Sequence, residues 1–213
     1  PGDGKWEINI ASVFEHGDDA TTFELPLLDV NYGIGDRLQL KFEVPWVHEH
    51  TEGHMVSGAG NSVAGVKWRF FDAGEDRWQI STYPQVESRF PAGGSRFADP
   101  GVSYLLPLQF QRKFGDWGVN FDVGRWLRPR RAVDTWIGGV AIGREINKDF
   151  ELIGELHDEA DVHSGRDELI INFGLRWNWS ERYTLLASAG ADLHNGLGDK
   201  IAPLTYLGIQ LHL

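Results

Sequence analysis

The chain contains no cysteine, which rules out disulfide frameworks, thiolate metal centres and thiol nucleophiles. It has no run approaching the ~18 consecutive apolar residues that a membrane-spanning helix needs, and its mean hydropathy is −0.32. Cations are scarce beside anions: 20 Lys and Arg stand against 31 Asp and Glu, a formal charge of −11. That balance argues against a nucleic-acid partner, because phosphate binding draws on clustered Lys and Arg. The chain opens at Pro1 without a methionine, as a processed or trimmed protein would, so its start is silent on export. No stretch has a helical period and no shift in composition marks a linker, so residues 1–213 read as one domain.

What the chain does have is aromatic side chains, 9 Trp and 12 Phe, and alternation. In "DRLQLKFEVPWVHEHTEGH" (36–54), Leu38, Leu40, Phe42, Val44 and Trp46 fall on one side of an extended chain. Arg37, Gln39, Lys41 and Glu43 fall on the other. About twelve such segments recur, most near the 9 to 11 residues of a tilted membrane strand: 6–14, 22–34, 37–47, 61–71, 78–87, 102–113, 117–126, 135–145, 150–157, 168–177, 183–193 and 204–213. Their connections alternate as well. Tight Gly/Asp/Asn turns at 33–36, 72–77, 115–118, 147–149 and 178–182 take turns with longer polar stretches at 15–21, 48–60, 88–101, 127–134, 158–167 and 194–203.

This double rhythm predicts an all-β fold: a transmembrane antiparallel up-and-down β-barrel of about twelve strands, with short periplasmic turns and longer extracellular loops, in the bacterial outer membrane. A soluble ligand-binding β-barrel also alternates, but it points its apolar set inward and spreads its aromatics through the core. Here the aromatics gather near strand ends. Tyr32, Phe70, Trp78, Trp117, Phe150, Trp177, Trp179 and Tyr183 lie by the short turns, and Phe14, Phe23, Trp46, Trp126 and Trp136 by the long loops. Leu40, Val66, Ile80, Val140, Ile171 and Ala187 fill mid-strand places. Two belts around an aliphatic band match the two headgroup regions of a bilayer. In "TTFELPLLDVNYGIG" (21–35) the alternation slips at Leu27 and Leu28 beside Pro26, and a β-bulge there would return Val30 and Tyr32 to the lipid face. Residues 135–145, with Gly138, Gly139 and Gly143, form the segment whose two faces differ least.

The stretch "GAGNSVAGVKWRFFDAGEDRW" (58–78) resembles a proteobacterial outer-membrane family labelled for the MetA pathway of phenol degradation. Gly58, Gly60, Asn61, Gly65, Lys67, Trp68, Arg69 and Phe70 fit its G-x-G-[DN]-x-x-x-G-x-K-[YW]-R-[FL] pattern, and "RFPAGG" (89–94) is similar to its K-[LF]-P-T-G. The likeness is carried by residues 58–95. It implies a channel of about twelve strands for small, often hydrophobic compounds.

If the greasy face meets lipid, the polar face lines the lumen. The expected pore-lining residues are Lys41, Glu43, Lys67, Arg69, Tyr83, Glu87, Asp122, Glu151, Glu155, Asn172, Arg176 and Asp192, some of them cross-braced as ion pairs. Apolar members of the same face, Leu105, Ile153, Ile170, Leu186 and Tyr206, suit an amphipathic or aromatic solute. His48, His50 and His54, with Glu49 and Glu52, offer metal-ligand chemistry. Because they lie in an expected loop with no second shell, a solvated acidic loop is the preferred reading and no metal or other cofactor is expected. A lipid-modifying hydrolase of the outer membrane is the alternative. It needs a serine activated by histidine, and the available pieces are His157 with Asp158, His163 with Ser164, and Ser12 near His16; no G-x-S-x-G elbow is present. The preferred expectation is a non-enzymatic, monomeric channel for passive uptake of small hydrophobic or aromatic compounds, with outer-membrane lipid and lipopolysaccharide around it and a small-molecule solute within.

Overall fold

An alternating chain in hydrocarbon must pair every backbone N–H and C=O with a neighbouring strand, and only a closed sheet does so without edges. The computed structural model, which describes residues 1–74, 76–89, 96–98, 101–129, 133–198 and 200–213, closes in this way. Twelve antiparallel strands form the wall. The first three are β1 (Trp6–His16), β2 (Thr21–Ile34) and β3 (Leu38–Thr51). Strand β4 has two segments, His54–Ala59 and Asn61–Asp72, as does β5, with Gln79–Thr82 and Gln85–Arg89. The rest are β6 (Val102–Phe114), β7 (Trp117–Leu127), β8 (Thr135–Asn147), β9 (Phe150–Asp161), β10 (Asp167–Asn178), β11 (Tyr183–Asn195) and β12 (Leu204–His212). Each strand pairs with the next, and β1 closes on β12 in a ladder running from Glu7↔His212 to Glu15↔Leu204.

Burial decides which face meets lipid. Large apolar side chains are exposed, Leu40 and Val66 by 41% each and Phe173 by 64%, whereas Asn31 is 4% exposed, Asp192 3% and Thr184 2%. A soluble barrel would show the reverse order, so the apolar band faces outward and the polar set faces the lumen. Rings pair on the outer surface near both rims: Trp6 with Tyr32 at 4.6 Å and Trp177 with Trp179 at 6.4 Å by the short turns, and Phe14 with Phe23 at 4.8 Å by the loops. On the short-turn side the Arg144 guanidinium lies over the Trp117 ring at 5.1 Å.

The expected bulge in β2 is present: the register with β3 shifts between Glu24 and Leu27, and that with β1 between Ala11 and Val13. It places Val30 opposite Phe42 and Tyr32 opposite Leu40, on the outer face. Three expectations need correction. Residues 48–60 are not a loop. β3 and β4 continue as a hairpin from Trp46↔Ala59 to Thr51↔His54, closed by Glu52 at φ 46° and Gly53 at φ 82°. Positive φ at both central positions is the type I′ geometry, whose twist matches the flanking strands. Segment 78–87 is interrupted at Tyr83 and Pro84, because proline has no N–H to give the ladder. Trp126 does not join the loop-side belt. It pairs with Leu105 and Thr135 on the lumen register, under the Arg128 guanidinium at 5.4 Å. Of the "RFPAGG" stretch only Arg89 falls within the described residues.

Placing a cation in the lipid band tests the inversion. Val66→Arg should lower unfolding stability in lipid vesicles by about 2–4 kcal/mol, measured by denaturant titration of tryptophan fluorescence.

Candidate functional site: the lumen and its mid-level network

Strand parity carries eleven of the twelve expected lumen positions to the inward register, and Tyr83, in the gap between the two β5 segments, lies against inward-facing Gly65. Lys41 and Glu43 come from β3, Lys67 and Arg69 from β4, Glu87 from β5, and Asp122 from β7. Glu151 and Glu155 come from β9, Asn172 and Arg176 from β10, and Asp192 from β11. Several are brought together in pairs. Arg176 lies 3.7 Å from Glu151, Arg69 lies 3.3 Å from Asp72, and Asn172 donates to Ser188 Oγ at 3.3 Å. Asn61 donates to Glu87 at 2.6 Å. Asp192 accepts the Ile201 N–H at 2.8 Å and the Asn195 amide at 2.9 Å. Asp122 leans over Gly139, where a Cβ would collide with its Oδ1.

A mid-level network joins β1, β2 and β3. Lys41 Nζ lies 2.7 Å from Glu43 Oε2 and 3.6 Å from Asp29 Oδ2. Asp29 also accepts hydrogen bonds from Asn9 Nδ2 at 3.2 Å and Asn31 Nδ2 at 3.1 Å, and Gln39 Nε2 donates to Asn31 Oδ1 at 2.7 Å. These amide orientations follow from chemistry, since an ionised carboxylate can only accept. Asp29 and Asn31 escaped the sequence reading because simple alternation along β2 puts them on the wrong face. The bulge that returns Val30 and Tyr32 to lipid also turns these two inward, and that was the signal available.

Open space lies on either side of this network. A loop-side cavity of about 550 Å³ is lined by Glu15, Thr22, Arg128, Thr135, Glu159 and Glu168, among others. A turn-side cavity of about 260 Å³ is lined by Gln39, Lys67, Arg69, Gln79, Ser81 and Gln111, among others. The two share no lining residue, and along β1–β3 the Asn9, Asp29, Lys41 and Glu43 side chains stand between them. At the loop-side mouth Arg128 binds Glu159 at 2.7 Å and Thr135 Oγ1 at 2.8 Å. The Arg128 backbone N–H donates to Asp134 Oδ1 at 2.9 Å and does most to hold the Asp134 carboxyl below its ordinary value; the Arg125 guanidinium, 3.0 Å away, adds to this.

The other candidate chemistry is dispersed. His48 bonds Ser57 Oγ at 2.7 Å and the Leu25 carbonyl at 3.1 Å, while His50 and His54 are exposed and Glu49 pairs across to Val56 on the opposite face. Among the described residues no group of three or more His, Asp or Glu is placed to hold a metal ion. His157 and Asp158 are successive strand residues and so point to opposite faces of the wall. Ser164 Oγ is bonded by Arg166 Nε at 3.2 Å, and His16 by Thr21 Oγ1 at 2.8 Å.

Solved structures share this architecture across the whole chain. The COG4313 outer membrane channel from Pseudomonas putida F1 is similar with a TM-score of 0.79, at 13% identity, over 100% of this chain and 97% of that one. The fold is that of a bacterial outer-membrane barrel. The KdgM porin (TM-score 0.68, 13% identity, 96% and 98% coverage) and the NanC porin (0.68, 11%, 95% and 97%) share the same barrel. No protein-family profile and no curated protein sequence matches the chain.

Two outcomes follow. Lys41→Met leaves Asp29 and Glu43 without their shared cation and should cost about 1.5–3 kcal/mol, read from the urea midpoint in detergent. Because the Asp134 value is lowered by folding, its tie to Arg128 is intact above the ordinary carboxylate pKa of about 4. The tie loosens as pH falls through the lowered folded value, and faster amide exchange at Arg128 in that acid window, absent in Asp134→Asn, reports it.

Proposed function

We propose that the barrel is a passive channel for small hydrophobic or aromatic compounds. The observation that carries this reading is the pair of end cavities inside an inward-polar wall, separated by side chains instead of by backbone. Side chains change rotamer quickly, so solute can cross the middle without any strand leaving its ladder. The proposed lining is Lys41, Glu43, Lys67, Arg69, Tyr83, Glu87, Asp122, Glu151, Glu155, Asn172, Arg176 and Asp192. Inward apolar groups, Leu105 and Ile137 at 7% exposure each and Leu27 at 9%, give the same passage surface for rings and alkyl groups. The segment resembling the MetA-pathway family and the similarity to channels and porins support the reading. On it the chain works as a single-domain monomer in contact with lipid and lipopolysaccharide, moves solute down its own gradient, and catalyses no reaction; among the described residues the histidines and serines are dispersed.

The test is a planar-bilayer recording of the refolded protein, with liposome swelling in phenol and in sugars of increasing size. Small, discrete conductance steps and swelling with one-ring solutes but not with disaccharides are expected. Silent bilayers together with unaltered vesicles would overturn the reading.

A further inference from the structure

The mid-level network holds two carboxylates and one ammonium. Lys41 Nζ is shared by Glu43 and Asp29, so the knot keeps a net charge of about −1 while all three groups are ionised. Asn9 and Asn31 both present their NH₂ groups to Asp29, so these donors are already spent on the resident carboxylate and are not free for a second anion. The other end of Asn9 points to what is missing: this side chain is 7% exposed, and its Oδ1 is buried with no donor among the described residues. An unused acceptor beside a surplus carboxylate calls for an N–H donor carrying positive charge.

The approach has the same sign. In the loop-side cavity the two described arginines are already engaged, Arg128 with Glu159 at 2.7 Å and Arg166 with Asp161 at 3.8 Å. Glu15 and Glu168 line the same cavity with no cation paired to either among the described residues. A cation entering there meets attraction down to the knot, and a carboxylate meets the opposite.

We propose that the Asp29–Glu43 pair is a transit binding point for the ammonium or guanidinium group of a small organic cation. The incoming group takes the place of Lys41 Nζ between the two carboxylates while Lys41 swings aside, so charge balance at the knot is kept during exchange. This rests on the channel reading and narrows it: amine-bearing solutes pass, and carboxylate-bearing solutes of equal size are excluded.

The experiment uses the whole chain in planar bilayers, first in a potassium chloride gradient and then under bi-ionic conditions with benzylammonium chloride or sodium benzoate. The reversal potential should show cation preference, and benzylammonium but not benzoate should carry current. Asp29→Asn with Glu43→Gln should lower the cation-to-anion permeability ratio at least tenfold, because a single unit charge ~12 Å from the permeating ion at an effective dielectric constant of about 20 already changes one ion's permeation by about that factor. Lys41→Gln should raise the ratio. If the double variant does not fold, as heat-modifiable gel migration would show, the single Glu43→Gln keeps Asp29 with Lys41, Asn9 and Asn31 and should still lower the ratio. Anion preference in the wild type, or a ratio unmoved by folded carboxylate variants, would overturn the inference and leave the channel reading standing. No conductance of any ion by folded protein would defeat the channel reading itself, and the inference with it.

Discussion

The ladder between β1 and β12 is the contact on which the structure depends. Without it two strand edges would lie open to hydrocarbon, where each unmade backbone hydrogen bond costs several kcal/mol. With it, every strand has two neighbours, and the chain is free to put side chains of opposite character on its two faces. The same closure creates an enclosed space that the solvent-facing half of the sequence must fill. The apolar band outside and the polar network inside are therefore two results of one geometric requirement.

Filling that space with polar groups has its own rules. A buried carboxylate needs a cation or several N–H donors, and the lumen supplies both: Lys41 for Glu43, two asparagines for Asp29, a backbone amide and Asn195 for Asp192. Glycine provides the room. At Gly139 and Gly143 any Cβ would collide with Asp122 and Glu151 respectively, so the carboxylates of neighbouring strands fold down over bare backbone. This explains why β8 has the least contrast between faces in sequence: its inward positions are spaces for the side chains of others.

Much of the fold was legible in the sequence because period two is a direct imprint of the pleat, and all twelve strands lie where alternation put them. The bulge in β2 was readable from the slip at Leu27 and Leu28. What alternation could not show was where strands stop. Residues past the lipid boundary keep pairing whether or not they alternate, so His48–Thr51 and His54–Ala59 read as loop and fold as ladder. Trp126 misled for a related reason: an aromatic near a strand end is a belt residue only if its parity points outward, and this one turns in beneath Arg128. The lumen positions were visible one strand at a time. Their meeting was not, since Asn9, Asp29 and Lys41 converge only through the register of three strands and a parity change within one of them.

The hairpin at Glu52 and Gly53 gives the long-loop rim a stiff edge. Its six cross-strand pairs, Trp46↔Ala59 to Thr51↔His54, extend about 20 Å at the rise of an extended chain. β2 runs beside it as far as Thr21↔His50 and Arg96 pairs with Glu49, so this rim is barrel wall carried upward and not a slack flap over the entrance. His48 and His50, two residues apart on one face of that sheet, are thereby kept at a fixed spacing.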